Sequence, residues 1–291
     1  MAGSPLLTRV RNRVERARLH RWRTAAYRSD RRHIVMGGSP RSGTTVLRRL
    51  LDRHPEVRAG AETKLFVPAA FNLEFLSDAY ELPSGELEAM RASAASQAAF
   101  IDAFADRVLD SSGMTRWAEK TPQNIRHLGW IGKHFPQASV VHIIRDGRDV
   151  ICSMRQHPDW RWVDGAWQKV LVERPLEWYA QRWLDDTAAG MAWRGNPRYV
   201  EIRYEELVAD ATGVLRGLCE GVGLRVDEPW LGGIGTSEPD ADADGHTKRP
   251  DYEGAVVGAS VGRWRTDLTA DERLTVERLC GPRLRELGYE R

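Results

Sequence analysis

Two short stretches carry residues of the right types and spacing to bind phosphate. The first is Gly38-Ser39-Pro40-Arg41-Ser42-Gly43-Thr44-Thr45, entered from an apolar run, His33 to Gly37, and left through a helical pattern, Val46 to Arg53. Strand, glycine-bounded loop and helix is the context in which backbone N–H groups and a helix N-terminus cradle a phosphate. The glycine spacing is that of a P-loop, but Thr44 stands where the P-loop lysine follows the second glycine. Arg41 is the one cation in the loop. This argues against an ordinary ATPase or kinase and for a nucleotide whose reacting group is handled by a different cation. The second stretch is Arg145-Asp146-Gly147-Arg148-Asp149 at the end of the run Ser139–Ile144, with Ser153 two turns into the next helix. A strand-end arginine and a serine on the following helix can converge on one anion, and the guanidinium fork suits a phosphate. Alone, these residues fit equally a local Arg145–Asp149 ion pair beside a small packing serine.

The elements that must position these residues alternate. Ile34–Gly37, a short segment at 56–59, Trp117–Glu119, Ser139–Ile144 and Arg198–Arg203 read as strands. Helical patterns lie at 44–53, 122–135, 149–156, 205–221 and 270–287, with a mostly helical stretch over 64–110 broken near Pro83-Ser84-Gly85. The expected fold is α/β, a P-loop-like parallel sheet with helices on both faces. Ligands in such sheets sit at the C-terminal ends of the strands, which puts the loops after Gly37, Glu119, Ile144 and Arg203 on one rim. Gly232–Gly258, rich in Gly and Asp, reads as an excursion able to act as a lid.

Bulk properties exclude several classes. The net charge of +2 gives no global case for nucleic acid. The charge is uneven: residues 1–32 hold ten arginines against Glu15 and Asp30, so this segment is +8 and the rest −6. It reads as a basic helical leader (1–32) before one domain (33–291). Cys152, Cys219 and Cys280 are far apart, which disfavours a disulfide scaffold and a structural zinc site. No apolar run has the length of a membrane span and no signal-peptide core is evident, so a cytoplasmic setting is expected.

Two phosphate-binding elements at successive strand ends resemble the sulfotransferases that use 3′-phosphoadenosine 5′-phosphosulfate (PAPS). The segment Leu51 to Thr63 (L-D-R-H-P-E-V-R-A-G-A-E-T) and Phe135-Pro136-Gln137-Ala138 resemble tyrosylprotein sulfotransferases; Glu119-Lys120-Thr121-Pro122, Arg203-Tyr204-Glu205-Glu206-Leu207 and Val261-Gly262-Arg263-Trp264 resemble bacterial members. The resemblance spans roughly residues 34–288. It implies that Pro40, Arg41, Ser42, Gly43, Thr44 and Thr45 bind the 5′-phosphosulfate and that Arg145 and Ser153 bind the 3′-phosphate, with Tyr204 and Arg263 as further contacts. It also implies Glu62 as general base, Arg41 neutralising the bridging oxygen as the nucleotide leaves, and Lys120 on the sulfuryl or leaving group. Sulfuryl transfer is mainly positioning and charge stabilisation, and no metal is required on this reading. His142, inside a buried strand, reads as structural.

The acceptor is less legible. Six of eleven tryptophans lie between 160 and 193. Trp178 and Trp183 read as helix core, whereas Trp160, Trp162 and Trp167 lie in a loop that either stacks on an acceptor or folds over as an apolar plug. A hydroxyl of a small molecule or glycan is expected, with a peptide tyrosine as the alternative. A P-loop nucleotide kinase and a polyanion-binding module are the competing classes. The oligomeric state is not legible.

Overall fold

The computed structural model of the 291-residue chain describes residues 5–68, 71–163, 166–234 and 260–289, with backbone alone for 5–12, Trp160, Trp162 and Trp167. The strands, in chain order, are β1 (Ile34–Gly37), β2 (Val57–Arg58), β3 (Arg116–Lys120), β4 (Ser139–Ile144), β5 (Asp159–Val163), β6 (Ala166–Val170) and β7 (Tyr199–Arg203). Five form one sheet in the order β2-β3-β1-β4-β7, every neighbouring pair parallel. Met36 lies opposite Lys120 and Gly37 opposite His142, so the exits of β1, β3 and β4 share one rim.

The helices are α1 (Pro5–Thr24), α2 (Thr44–Asp52), α3 (Leu73–Tyr80), α4 (Ser84–Ser93), α5 (Gln97–Ser112), α6 (Leu128–His134) and α7 (Gly147–Arg155). They continue with α8 (Leu176–Met191), α9 (Tyr204–Ala209), α10 (Ala211–Val222), α11 (Glu228–Gly232), α12 (Trp264–Asp267) and α13 (Ala270–Glu286). A 3₁₀ helix, Pro122–His127, leads into α6. No described helix is long and apolar enough to cross a membrane.

The sheet is buried on both faces, which is why β1 and β4 are continuous apolar runs rather than alternating ones. Side chains still alternate between two cores. Val35 and Val140 pack with Phe66, Phe100, Phe104 and Trp117 on the α5 face. Ile34, Met36, Val141 and Ile143 pack with α2 and α10 on the other. A third core under α7, α8 and α13 contains Trp183, Ile151 and Leu284. His142 is fully buried in mid-strand and shares a 2.6 Å hydrogen bond with Tyr199 Oη; burial pushes its imidazole down to about 3, so it stays neutral.

Two elements differ from the sequence expectation. The stretch 64–110 begins with turns and divides into α3, α4 and α5, because Asn72 and Ser96 each start a new helix by capping it with their own side chains. The tryptophan-rich segment is an antiparallel hairpin, β5–β6, with Trp162 opposite Trp167. The excursion read as a lid falls almost wholly outside the described residues, as does His246-Thr247-Lys248-Arg249.

The end of the basic segment is tied to the α5 side of the fold. Trp22 Nε1 donates to Ala94 O at 2.9 Å, and Trp130 Nε1 donates to Arg23 O at 3.0 Å. Buried Asp102 accepts from Tyr27 Oη (2.7 Å) and Ser29 Oγ (3.0 Å) and pairs with His33 Nε2 (2.7 Å). Burial works against its charge, but the bonds from His33, Tyr27 and Ser29 prevail and hold its carboxyl below the ordinary value. A depressed folded-state pKa contributes stability above the unfolded value, near 4, and loses it as pH falls through the folded one. Asp102→Asn should therefore cost about 2 kcal/mol at pH 7. Urea unfolding of both proteins should show this gap narrowing below about pH 4. A gap independent of pH would refute the electrostatic account.

Candidate active site

The loop after β1 is held in a shape that most residues avoid. Arg41 has φ 72°, a left-handed conformation that costs a non-glycine residue about 1–2 kcal/mol. What holds it is distant in sequence: Arg145 Nη1 donates to Arg41 O at 3.0 Å. The Arg41 side chain turns towards α7, and its Nε donates to Ser153 Oγ at 3.0 Å. Arg41, Arg145 and Ser153 are therefore one cluster. Gly43 has φ 93° and its Cα abuts Tyr204, so an added Cβ would fall 2.3 Å from that ring. Gly43 precedes α2 with no side-chain cap, and Thr44 and Thr45 begin the helix with no acidic residue in the first turn. The N–H groups of that turn are the orphan donors that an anion satisfies. Pro40 is partly exposed in the same turn, and the buried Ser42 Oγ has no hydrogen-bond partner among the described residues.

Arg145 is the buried centre of the second element. Its Nη2 donates to Ser260 O, its guanidinium lies 4.7 Å from the centre of the Tyr204 ring, and Tyr204 Oη meets Ser260 Oγ at 2.9 Å. Its Nε finds no partner among the described residues. The local ion pair with Asp149 is loose, at 3.9 Å. Asp149 instead accepts from the backbone N–H groups of Gly262 (2.8 Å) and Trp264 (3.0 Å), and burial raises its carboxyl despite them. Asp146 caps α7 through Arg148 N and pairs with the Arg148 side chain at 2.7 Å. Among the described residues no three His, Cys, Asp or Glu side chains gather as metal ligands do. Arg263 is not brought to this cluster. It pairs with Asp267 at 2.6 Å and donates to Gln156 at the end of α7.

Glu62 and Lys120 meet at the exits of β2 and β3. Lys120 Nζ donates to Glu62 Oε2 at 2.8 Å. The lysine side chain is 7% exposed and the glutamate 31%, so the carboxylate faces the open side of the pair. Sequence reasoning missed what lies beneath them. Glu119, fully buried, accepts from Thr63 Oγ1 (2.8 Å), Thr63 N (3.2 Å), Thr121 Oγ1 (2.6 Å) and Asn124 Nδ2. Burial pushes its carboxyl up, and the bonds from Thr121, Asn124 and Thr63 oppose that. Asn124 Nδ2 also donates to Met36 O in β1, at 3.1 Å. The available signal was a glutamate flanked by hydroxyl-bearing and amide residues at a strand end.

A glycine-bounded loop after the central strand of a parallel sheet, an arginine and a serine converging from the next strand–helix unit, and a glutamate–lysine pair alongside gather at one rim of the sheet. The sequence profile of the sulfotransferase family matches residues 33–228, and the chain belongs to that family. It is 30% identical over 134 residues to protein-tyrosine sulfotransferase 1 of Homo sapiens, covering 45% of this chain and 36% of that protein. It is 26% identical over 278 residues to nodulation protein NoeE of Sinorhizobium fredii, covering 87% and 65% respectively. The chain thus spans about a third of the length of that tyrosine sulfotransferase. Among solved structures, the sulfotransferase domain of the Synechococcus PCC 7002 olefin synthase superposes with a TM-score of 0.66 at 20% identity, covering 90% of this chain and 97% of that one. Mouse sulfotransferase SULT7A1 complexed with PAP superposes with a TM-score of 0.57 at 15% identity, covering 89% and 86%. At these identities the two superpositions establish the shared fold.

Because Glu119 satisfies donors from three segments, Glu119→Gln should turn one amide hydrogen towards Thr121 or Asn124 and lower stability by about 1–3 kcal/mol. The urea midpoint reports it, and an unshifted midpoint would show that the network does not hold the rim.

Proposed function

We propose that this protein transfers the sulfuryl group of PAPS to a hydroxyl acceptor, a small molecule or a glycan. The observation that carries the reading is that Arg41, beside the uncapped start of α2, is hydrogen-bonded through its side chain to Ser153 and through its carbonyl to Arg145. The site also fits a ligand with two separated anionic groups. Ser42 Oγ and Arg145 Nε are buried polar atoms without a partner among the described residues. A ligand oxygen at each would remove that deficit.

PAPS, when bound, supplies an activated sulfuryl group on a nucleotide leaving group. The chain's own residues divide the remaining work. Loop N–H groups from Ser42 to Thr45 and the start of α2 bind the 5′ end. Arg145 and Ser153 take the 3′-phosphate, the group that distinguishes this nucleotide from ATP. Tyr204 backs the Arg145 guanidinium and fills the space left by Gly43. Arg41 neutralises charge on the departing oxygen. Lys120, fixed by its ion pair, donates to the sulfuryl or leaving oxygen. Glu62, on the open side of that pair, accepts the acceptor's proton as the new O–S bond forms. Positioning and charge stabilisation carry the rate, as in phosphoryl transfer. The similarity to protein-tyrosine sulfotransferase 1 favours a peptide tyrosine as the second reading of the acceptor.

Thermal unfolding with PAP, AMP and ATP, each with and without Mg²⁺, tests the donor. A midpoint raised by PAP alone and independent of Mg²⁺ is expected. A rise with Mg²⁺-ATP and none with PAP would overturn the reading in favour of a kinase. Glu62→Gln should lower turnover with PAPS by about 10²–10⁴-fold while leaving PAP affinity nearly intact. Unimpaired turnover would remove Glu62 from the role of base.

Arg145→Ala should weaken PAP about 10–100-fold and AMP by clearly less, since PAP loses a charge-assisted fork to the 3′-phosphate in addition to the loop support that both nucleotides lose. An unchanged PAP-to-AMP ratio by calorimetry would contradict the 3′-phosphate assignment.

A further inference from the structure

The donor site leaves a cluster of three arginines and a tryptophan unused. It stands where α8 passes the rim. Helix α8 runs antiparallel to β4. Gly190 packs on His142 in mid-strand, where a Cβ would fall 2.2 Å from the imidazole Nδ1. Trp183, seven residues earlier, donates its Nε1 hydrogen to Arg145 O at 3.2 Å, just past the end of the strand. The residues before Trp183 therefore rise beyond the rim, at about 1.5 Å each.

Trp178, Arg182 and Asp186 follow at intervals of four and share one face of α8. The buried Asp186 accepts from Arg126 Nε, on the 3₁₀ helix that follows Lys120, and lies beside Ser39 of the phosphate loop. This fixes where the face looks: across the rim towards the exit of β3. Arg182 stands about 6 Å and Trp178 about 12 Å further along the helix than Asp186. Arg126 Nη2 also donates to Arg182 O at 3.5 Å, which holds this turn of α8 beside the segment that follows Lys120.

The charges there do not balance. Arg126 is paired with Asp186 and Arg174 with Asp159. Arg182 has no ion-pair partner among the described residues; its guanidinium lies 5.7 Å from the centre of the Trp178 ring, with Arg174 at 4.3 Å from the same ring. Burial holds the Arg182 guanidinium below its ordinary value; Asp186 and, more weakly, Asp159 pull it back, and Arg126 and Arg174 push it further down. A half-buried guanidinium with like charges around it is relieved by an anion. Trp178, 40% exposed, adds a partly open apolar surface beside it.

We propose that Arg182 and Trp178 form an acceptor subsite, and that the hydroxyl acceptor carries an anionic group seated on Arg182. This rests on the sulfotransferase reading, because it places the acceptor above the phosphate loop. The Arg126–Asp186 pair sets the height of Arg182 over the loop, and Arg174 adds to the field from the start of the helix. The subsite selects against neutral acceptors, which leave the surplus charge unrelieved.

The test uses the full chain saturated with PAP, titrated calorimetrically with 3-(4-hydroxyphenyl)propionate and with its uncharged amide. The acid should bind about tenfold more tightly than the amide, and Arg182→Gln should bring the two within about twofold. Trp178→Ala should weaken both probes while preserving their ratio. The PAP-induced rise in unfolding midpoint serves as the folding control; if Arg182→Gln loses it, Arg174→Gln replaces that variant with the same expected direction. Equal binding of acid and amide by the native chain, binding of neither, or an acid preference that survives the arginine substitution overturns the subsite. Failure of the native chain to respond to PAP defeats the donor reading instead, so the two failures are distinguishable.

Discussion

Glu119 is the interaction on which the candidate site hangs. A fully buried carboxylate costs several kcal/mol in lost solvation unless donors surround it, on the order of the penalties for unpaired buried ions. Here the donors come from the exit of β2 (Thr63), the exit of β3 (Thr121) and the 3₁₀ helix (Asn124). None can leave without stranding the charge, so the exit of β2 and the β3–3₁₀ junction, far apart in sequence, share one position. Glu62 precedes Thr63 and Lys120 precedes Thr121, so the Glu62–Lys120 pair inherits its placement from the residues beside it. Asn124 extends the constraint to Met36 O, one residue before the end of β1. The entry to the phosphate loop is thereby fixed relative to the glutamate–lysine pair.

The other side of the site depends on a different economy. The left-handed Arg41 is unfavourable alone, and the bond that offsets it comes from Arg145, itself buried against Tyr204. Tyr204 in turn occupies the space that a side chain at 43 would need. The loop after β1 and the Arg145 element are consequently not two separate clusters brought close. Each is part of the other's support, and displacing either guanidinium disturbs both. That interdependence is the physical reason to expect a ligand with two anionic groups rather than one.

Local pattern made the sheet legible. The apolar runs at Ile34–Gly37 and Ser139–Ile144, the glycines at 38 and 43, and the arginine and serine at 145 and 153 are all short-range signals, and each sits at the rim where parallel-sheet topology puts it. The Glu62–Lys120 contact was reachable only through the resemblance, because it joins residues 58 apart. The Glu119 network, the Arg145–Ser260 bond and the Arg126–Asp186 pair were not legible, since each is made across the fold by side chains whose neighbours give no periodicity. The β5–β6 hairpin was misread although its signal was present. Trp160, Trp162 and Val163 flank Asp164-Gly165, a dipeptide favoured between hairpin strands, but the tryptophans drew the reading towards ligand stacking.

The motif Arg145-Asp146-Gly147-Arg148-Asp149 shows how one short sequence divides its charges. Four residues apart on a helix start, Arg145 and Asp149 are placed to neutralise each other. They do so only weakly, at 3.9 Å, because Asp149 is committed to the backbone of Gly262 and Trp264. Arg148 is likewise spent on Asp146 and on the Trp264 ring, 4.1 Å away. Both commitments draw the C-terminal segment against α7, which brings Ser260 O to Arg145 and Ser260 Oγ to Tyr204. The two acids and the second arginine are therefore consumed in building the pocket wall. Of the five, Arg145 keeps a buried nitrogen, Nε, with no partner among the described residues. Had Asp149 paired closely with Arg145, the same five residues would have made a stable helix start with no guanidinium nitrogen of Arg145 left over.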